Sequence, residues 1–170
     1  MRKKKPIVLK TAIIVDFMGH GFGEFTREDE IVELTDQYSK LLAPAKLDIY
    51  TPHSAYISEM KEGTDLVLFD YGGLLPGTSL AEDNSRRIVE WAENHPSCLV
   101  VVTSTHTWRS YVKYELSMKD IAGLFNLVHI WDYVDDEGKE PDGHPIPQWF
   151  RDMHKLPYID PYAEEIRKVS

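Results

Sequence analysis

Short apolar runs that stop at a polar residue recur along this chain, and no other feature limits its fold so strongly. Leu66-Val67-Leu68-Phe69 stops at Asp70 and breaks into Tyr71-Gly72-Gly73-Leu74-Leu75-Pro76-Gly77. Ala12 to Val15 stops at Asp16, and Leu99 to Val102 stops at Thr103-Ser104. A continuous apolar run of this length between turn signals reads as a strand buried on both faces. Ligands of open α/β sheets bind at the carboxyl ends of such strands, where Asp70 would sit.

The segments between the runs carry helical periodicity. Thr26-x-x-Asp29 has the spacing of a capping box with Asp in place of Glu. Ile31, Leu34, Tyr38, Leu41 and Leu42 follow it, so Arg27 to Leu42 predicts an amphipathic helix. Ser54 to Glu62 predicts a short helix closed by Gly63. Ser79-x-x-Glu82 opens a helix running to Asn94, since Pro96 excludes further helix. Ser110 to Ile121 predicts another, ended by Gly123. Strands are expected at Ile7 to Val15, Lys46 to Tyr50, the central run, Cys98 to Val102 and Leu127 to Ile130. Strands alternating with helices imply an α/β fold, with a parallel sheet, right-handed crossovers and helices on both faces. That unit takes up residues 1–136. Residues 137–170 differ: Pro141, Pro145, Pro147 and Pro157 interrupt them, while Trp149, Phe150, Met153, Tyr158, Ile159 and Tyr162 give them much apolar surface. This C-terminal aromatic and helical extension, with Asp160-Pro161 opening a last helix, is expected to pack on the domain or on a partner subunit. A homodimer or another protein partner is thereby expected.

Bulk composition narrows the function. At 170 residues the chain suits one domain with a real core, and a net charge of -9 argues against nucleic acid as a partner. Arg2-Lys3-Lys4-Lys5 is the exception, a basic run that reads as a solvated end. The single cysteine, Cys98, leaves no intrachain disulfide and no cysteine-based zinc cluster. No apolar run approaches the ~20 residues of a membrane span, and none follows the basic start as a signal peptide requires, so a cytoplasmic protein without a membrane partner is expected.

The candidate chemistry sits where strands end. Asp16, Asp70 and Asp132 each terminate an expected strand, so their carboxylates could converge on one rim. Hard oxygen ligands in that arrangement suit Mg²⁺. Thr103, Ser104 and Thr105, with loop amides, could hold the oxygens of a phosphate-bearing small molecule. His20 and His106 are candidate proton carriers beside a catalytic Asp70. Gly19, Gly21, Gly72 and Gly73 allow close backbone approach to a ligand. Each has a plainer reading: an aspartate after a strand is often a turn or helix cap, His106 can pack on Trp108, and the loop of Gly19, Gly21 and Gly23 can be a mobile connection held by Phe17, Phe22 and Phe25. That loop lacks the last glycine of a dinucleotide fingerprint and the Gly-Lys-Ser/Thr of a P-loop. His53, His95, His129, His144 and His154 lack the short spacing of a metal motif.

The stretch from Leu47 to Gly77 resembles the middle of a response-regulator receiver domain: a strand, a segment ending Met60-Lys61-Glu62-Gly63, then Thr64-Asp65-Leu66-Val67-Leu68-Phe69-Asp70 and a Pro-Gly turn. The resemblance implies a doubly wound, flavodoxin-like three-layer sandwich with a five-stranded parallel sheet. It also implies Asp70 as phosphoryl acceptor, Asp16 as a metal-holding acid, and Thr103 or Ser104 as the switch hydroxyl. The chain departs from the family in two places. Receivers pair two acids after the first strand, where Phe17 follows Asp16, and place a lysine after the last, where this chain has Trp131-Asp132. The expected function is a receiver-like regulatory or interaction module with a degenerate acidic site. The alternative is a small Mg²⁺-dependent hydrolase or phosphotransfer enzyme acting on a phosphorylated or nucleotide ligand. Tyr71-Gly72-Gly73 with Pro76-Gly77 is also similar to class I glutamine amidotransferases, but those need a cysteine after a strand, and Cys98 lies at the start of one.

Overall fold

The computed structural model describes residues 5–15, 27–52, 60–70, 79–104, 124–131 and 146–157. In chain order they form β1 (Val8–Val15), α1 (Arg27–Leu41), β2 (Lys46–Tyr50), β3 (Leu66–Asp70), α2 (Ser79–Asn94), β4 (Leu99–Ser104), β5 (Leu127–Trp131) and α3 (Gln148–His154). The strands make one five-stranded sheet in the order β2-β1-β3-β4-β5, parallel throughout. The α/β class read from the sequence is therefore the class of the molecule.

Side-chain alternation divides the core into two layers. Leu9, Ile13 and Val15 of β1, Leu66 and Leu68 of β3, and Leu99 and Val101 of β4 face Leu34, Tyr38 and Leu41 of α1. Ala12 and Ile14, Val67 and Phe69, and Val100 and Val102 face the other way, against Ile88 and Ala92 of α2. The central strands are thus apolar at nearly every position because both their faces are covered. Thr11 of β1 is polar yet fully buried, and its hydroxyl donates to the Leu9 carbonyl at 2.9 Å.

α1 begins with Glu28, Asp29 and Glu30 and ends near Lys40, charges that oppose the helix dipole at both ends. Lys40 also pairs with Asp36 one turn back, at 3.1 Å. Element boundaries differ from the sequence reading by one or two residues. The expected short helix at 54–62 is corrected over its end: Met60 and Lys61 are not helical and Glu62-Gly63 form a turn, with Gly63 at φ 79°, and 54–59 lie outside the described residues. So do the helices expected at 110–121 and after Asp160-Pro161.

Asp65 stitches the amino edge of the sheet. Its N–H donates to the Lys10 carbonyl at 2.8 Å, its carbonyl accepts from Leu99 N–H at 3.0 Å, and its carboxylate accepts from Lys10 N–H at 2.9 Å. β1, β3 and β4 are locked together at one point. Asn126, buried before β5, holds the α2–β4 connection: its amide nitrogen lies 2.8, 3.1 and 2.9 Å from the carbonyl oxygens of Ala92, His95 and Cys98.

α3 lies on the α1 side. Ile146, Phe150 and Leu156 enter the same core layer as β1, β3 and β4. Lys155, at φ 55°, ends the helix. Its N–H bonds to the Asp152 carbonyl at 3.3 Å, and Leu156 N–H bonds to the Arg151 carbonyl at 2.8 Å. That pair of bonds is the Schellman arrangement, which turns the chain so that Leu156 packs back inward. Arg151 is buried as well, and its guanidinium donates to the Ile146 carbonyl. Among the described residues no helix is long and apolar enough to cross a membrane.

Candidate functional site

The strand register defines a rim at the carboxyl end of the sheet. Val15 pairs with Asp70, Asp70 with Thr103 and Thr103 with Ile130, while Ser104 pairs with Trp131. Neighbouring strands lie about 4.8 Å apart, so Asp70 and Thr103 are lateral neighbours at the end of the sheet's centre. The chain leaves this rim in opposite senses. After β1 it builds α1 on one face, and after β3 it builds α2 on the other. A crevice forms where such connections diverge, between the carboxyl ends of adjacent strands. Here that place is between Val15 and Asp70.

Of the site residues read from the sequence, the register brings together Asp70, Thr103 and Ser104. Asp16 directly follows the last residue of β1, and Asp132 directly follows the last residue of β5. Asp16, Gly19, His20, Gly21, Gly72, Gly73, Thr105, His106 and Asp132 themselves lie outside the described residues. Carboxylate and hydroxyl oxygens are the hard donors that Mg²⁺ takes, together with its own waters and substrate phosphate. Among the described residues the rim brings one acid, Asp70, beside Thr103, and no group of three or more His, Cys, Asp or Glu that could hold a metal ion.

The opposite edge holds charged groups whose roles are structural, none of them evident from sequence spacing. His95 stacks on Trp91 with ring centroids 3.6 Å apart. Its Nδ1 lies 2.8 Å from the Trp91 carbonyl and its Nε2 3.0 Å from the Glu62 carboxylate. Both ring nitrogens thus have hydrogen-bond partners within the protein. Tyr50 accepts from Lys61 N–H at 3.1 Å, its hydroxyl lies 2.6 Å from the Thr64 hydroxyl, and Thr64 donates to the Lys61 carbonyl at 2.6 Å. This closed ring fixes the turn before β3. An aspartate or threonine just ahead of a strand is a signal for such side-chain bonds to backbone.

Cys98 precedes β4 at this same edge, 2% exposed, and burial pushes its thiol up to about 11. It is an inert core residue, as its place before a strand implies. Burial holds the His154 imidazole below the usual histidine range, against an opposing pull from the Asp65 carboxylate. On α1, burial and then the neighbouring Glu30 raise the Glu33 carboxyl.

Comparison of the chain with protein-family models, with curated proteins and with solved structures finds no match. The structure defines the class as an α/β protein with an all-parallel five-stranded sheet among the described residues.

Proposed function

We propose that this chain is a cytoplasmic, receiver-like regulatory or interaction module of flavodoxin-like fold, whose degenerate acidic rim is its functional edge. The observation that carries the reading is the pairing of Asp70 with Val15 on one side and Thr103 on the other, at the divergence of α1 and α2. The strand order β2-β1-β3-β4-β5 supports the fold assignment, because flavodoxin-like sheets are wound in that order. Asp16, Asp70 and Asp132 would hold Mg²⁺, which would supply a positive centre for the oxygens of a phosphate-bearing ligand. Asp70 would be the central donor, and Thr103 would orient a ligand oxygen from the adjacent strand. A switched rim of this kind changes what a protein partner, or a second copy of the chain, meets.

A second reading, a small Mg²⁺-dependent hydrolase or phosphotransfer enzyme, draws support from the register that pairs Thr103 with Asp70 on adjacent strands. Titration with Mg²⁺, followed by tryptophan fluorescence, tests the rim. A millimolar-range response that Asp70→Asn abolishes, with no turnover of a phosphate ester, is the expected result. A response accompanied by turnover that Asp70→Asn also abolishes would replace the module with the enzyme. No response to Mg²⁺ in the unaltered protein would remove the acidic rim from the function.

A further inference from the structure

His95 is the first residue past α2, at the amino edge of the sheet, and neither reading of the function uses it. Its two ring nitrogens meet two different connections of the chain. Nδ1 lies 2.8 Å from the carbonyl oxygen of Trp91, in the last turn of α2. Nε2 lies 3.0 and 3.1 Å from the two carboxylate oxygens of Glu62, in the turn before β3. A carbonyl oxygen and an ionised carboxylate only accept hydrogen bonds, and a neutral imidazole has a single N–H to give. Both bonds are therefore made together only by the doubly protonated ring. Two further features suit a cation at this place. The carbonyl end of a helix carries partial negative charge, and α2 has no basic residue in its last turn to meet it. The ring also lies flat on the Trp91 indole, with centroids 3.6 Å and planes 13° apart, and the face of tryptophan attracts positive charge.

We infer that His95 is a proton-dependent clasp: doubly protonated, it ties the Glu62-Gly63 turn to the carboxyl end of α2, and on losing a proton it lets the turn go. The charges around it leave that task to Glu62. Lys10 of β1 donates its Nζ to the Glu62 carbonyl at 3.0 Å, and Lys61 sits 5.0 Å over the Tyr50 ring. The Asp65 carboxylate accepts from Lys10 N–H, and Glu90 and Glu93 of α2 are exposed. Deprotonation leaves one ring nitrogen with a lone pair facing an acceptor. The bond to Trp91 is part-buried, whereas the Glu62 side chain is 84% exposed. Water replaces the exposed bond at less cost, so the remaining proton stays on Nδ1 and the Glu62 side opens. The turn itself keeps its shape, because the bonds among Tyr50, Lys61 and Thr64 do not involve the imidazole. What opens is the tie between two connections 33 positions apart in sequence. Histidine changes charge between about pH 5 and about pH 8, so the clasp is closed at the acid end of that range and open at the other.

A double-mutant cycle of Glu62→Ala and His95→Leu, read by urea denaturation of the full-length chain, tests the clasp, because the titration of the other histidines cancels in it. At about pH 5.5 the coupling is expected to be about 1.5- to 5-fold in the folding constant, the size of an exposed ion pair. At about pH 8 it is expected to fall close to unity. A second measurement needs no unfolding and leaves His95 in place. Coupling between proton and carboxylate is reciprocal, so NMR titration of the His95 ring is expected to show about 1.5- to 5-fold tighter proton binding in the unaltered chain than in Glu62→Ala. Glu62 is exposed, so this substitution leaves the core untouched. A coupling equal at both pH values would make the contact an ordinary hydrogen bond and overturn the inference. So would no coupling at either pH, or equal proton binding by His95 in the two chains.

Discussion

Phe150→Ala removes the largest side chain by which α3 enters the core. Its ring is fully buried, edge-on to Trp149 at 5.7 Å and 4.5 Å from the His154 ring. Burying a phenylalanine is worth about 1.5–3 kcal/mol in transfer from water. Adding the cavity left in a layer that cannot close fully, Phe→Ala costs about 3–5 kcal/mol. For a chain of this size that lowers the melting temperature by about 6–20 °C. Two responses are open to the protein, and urea denaturation separates them. If α3 stays docked over a cavity, the midpoint falls and the denaturant slope is unchanged. If α3 lets go, the native state exposes its inner face, the slope falls, and the loss stops at the docking energy of the helix. Adding Leu156→Ala then separates them again: the two losses add over a cavity, and the second costs little once the helix has left. A loss below about 1 kcal/mol with the slope unchanged refutes the placement of Phe150 in the core, because no burial of a whole ring is that cheap.

Three further outcomes follow from the described residues. Leu68→Ala, at the buried centre of β3, is expected to cost about 2–5 kcal/mol by chemical denaturation, and a loss under about 0.5 kcal/mol would make the strand peripheral. His154 has a folded-state pKa below its unfolded value, so the unfolded chain takes up its proton more readily. Its contribution is complete above about pH 6.5 and is lost as pH falls from there toward the folded pKa. His154→Leu should therefore flatten the stability profile between neutral and mildly acid pH, and an unchanged slope would contradict this. The Cys98 thiol should react with an alkylating reagent only as fast as the protein unfolds, and rapid labelling of native protein by mass spectrometry would show the thiol to be accessible.

The sheet was legible because its strands are buried on both faces. Leu66 to Phe69 and Leu99 to Val102 are continuous apolar runs, a pattern that few other elements produce. The end of the segment 54–62 misled because Met60 and Gly63 have the spacing and stop signal of a helix. The ring of Tyr50, Lys61 and Thr64 holds its end as a turn instead. In α3, Phe150 and Met153 looked alike as apolar residues, but only Phe150 falls on the buried stripe, and a buried Arg151 stands beside it. Nothing local marks an arginine whose partner is the carbonyl that precedes its own helix. At the rim, strand-ending polar residues gave Asp70 and Thr103 a shared level, since parallel strands of similar length end together. Asp65 stands ahead of the strand, outside the pattern of strand-ending polar residues, and its bonds join three strands.

The bond between Asp65 and Lys10 spans 55 positions of sequence, and this separation bears on how the chain is born. At about 5–20 residues per second, a ribosome needs about 3–11 s to add those positions. For that interval β1 has no partner on the side that β3 will fill, and an unpaired apolar strand invites pairing with other chains. β2 arrives sooner and covers only the other side of β1. In sequence, Arg2-Lys3-Lys4-Lys5 shortly precede β1 and Lys10 lies within it. Flanking charge of this kind acts as a gatekeeper against self-association. The consequence of that separation thus falls on the growing chain and not on the finished sheet, in which β1 is paired on both sides.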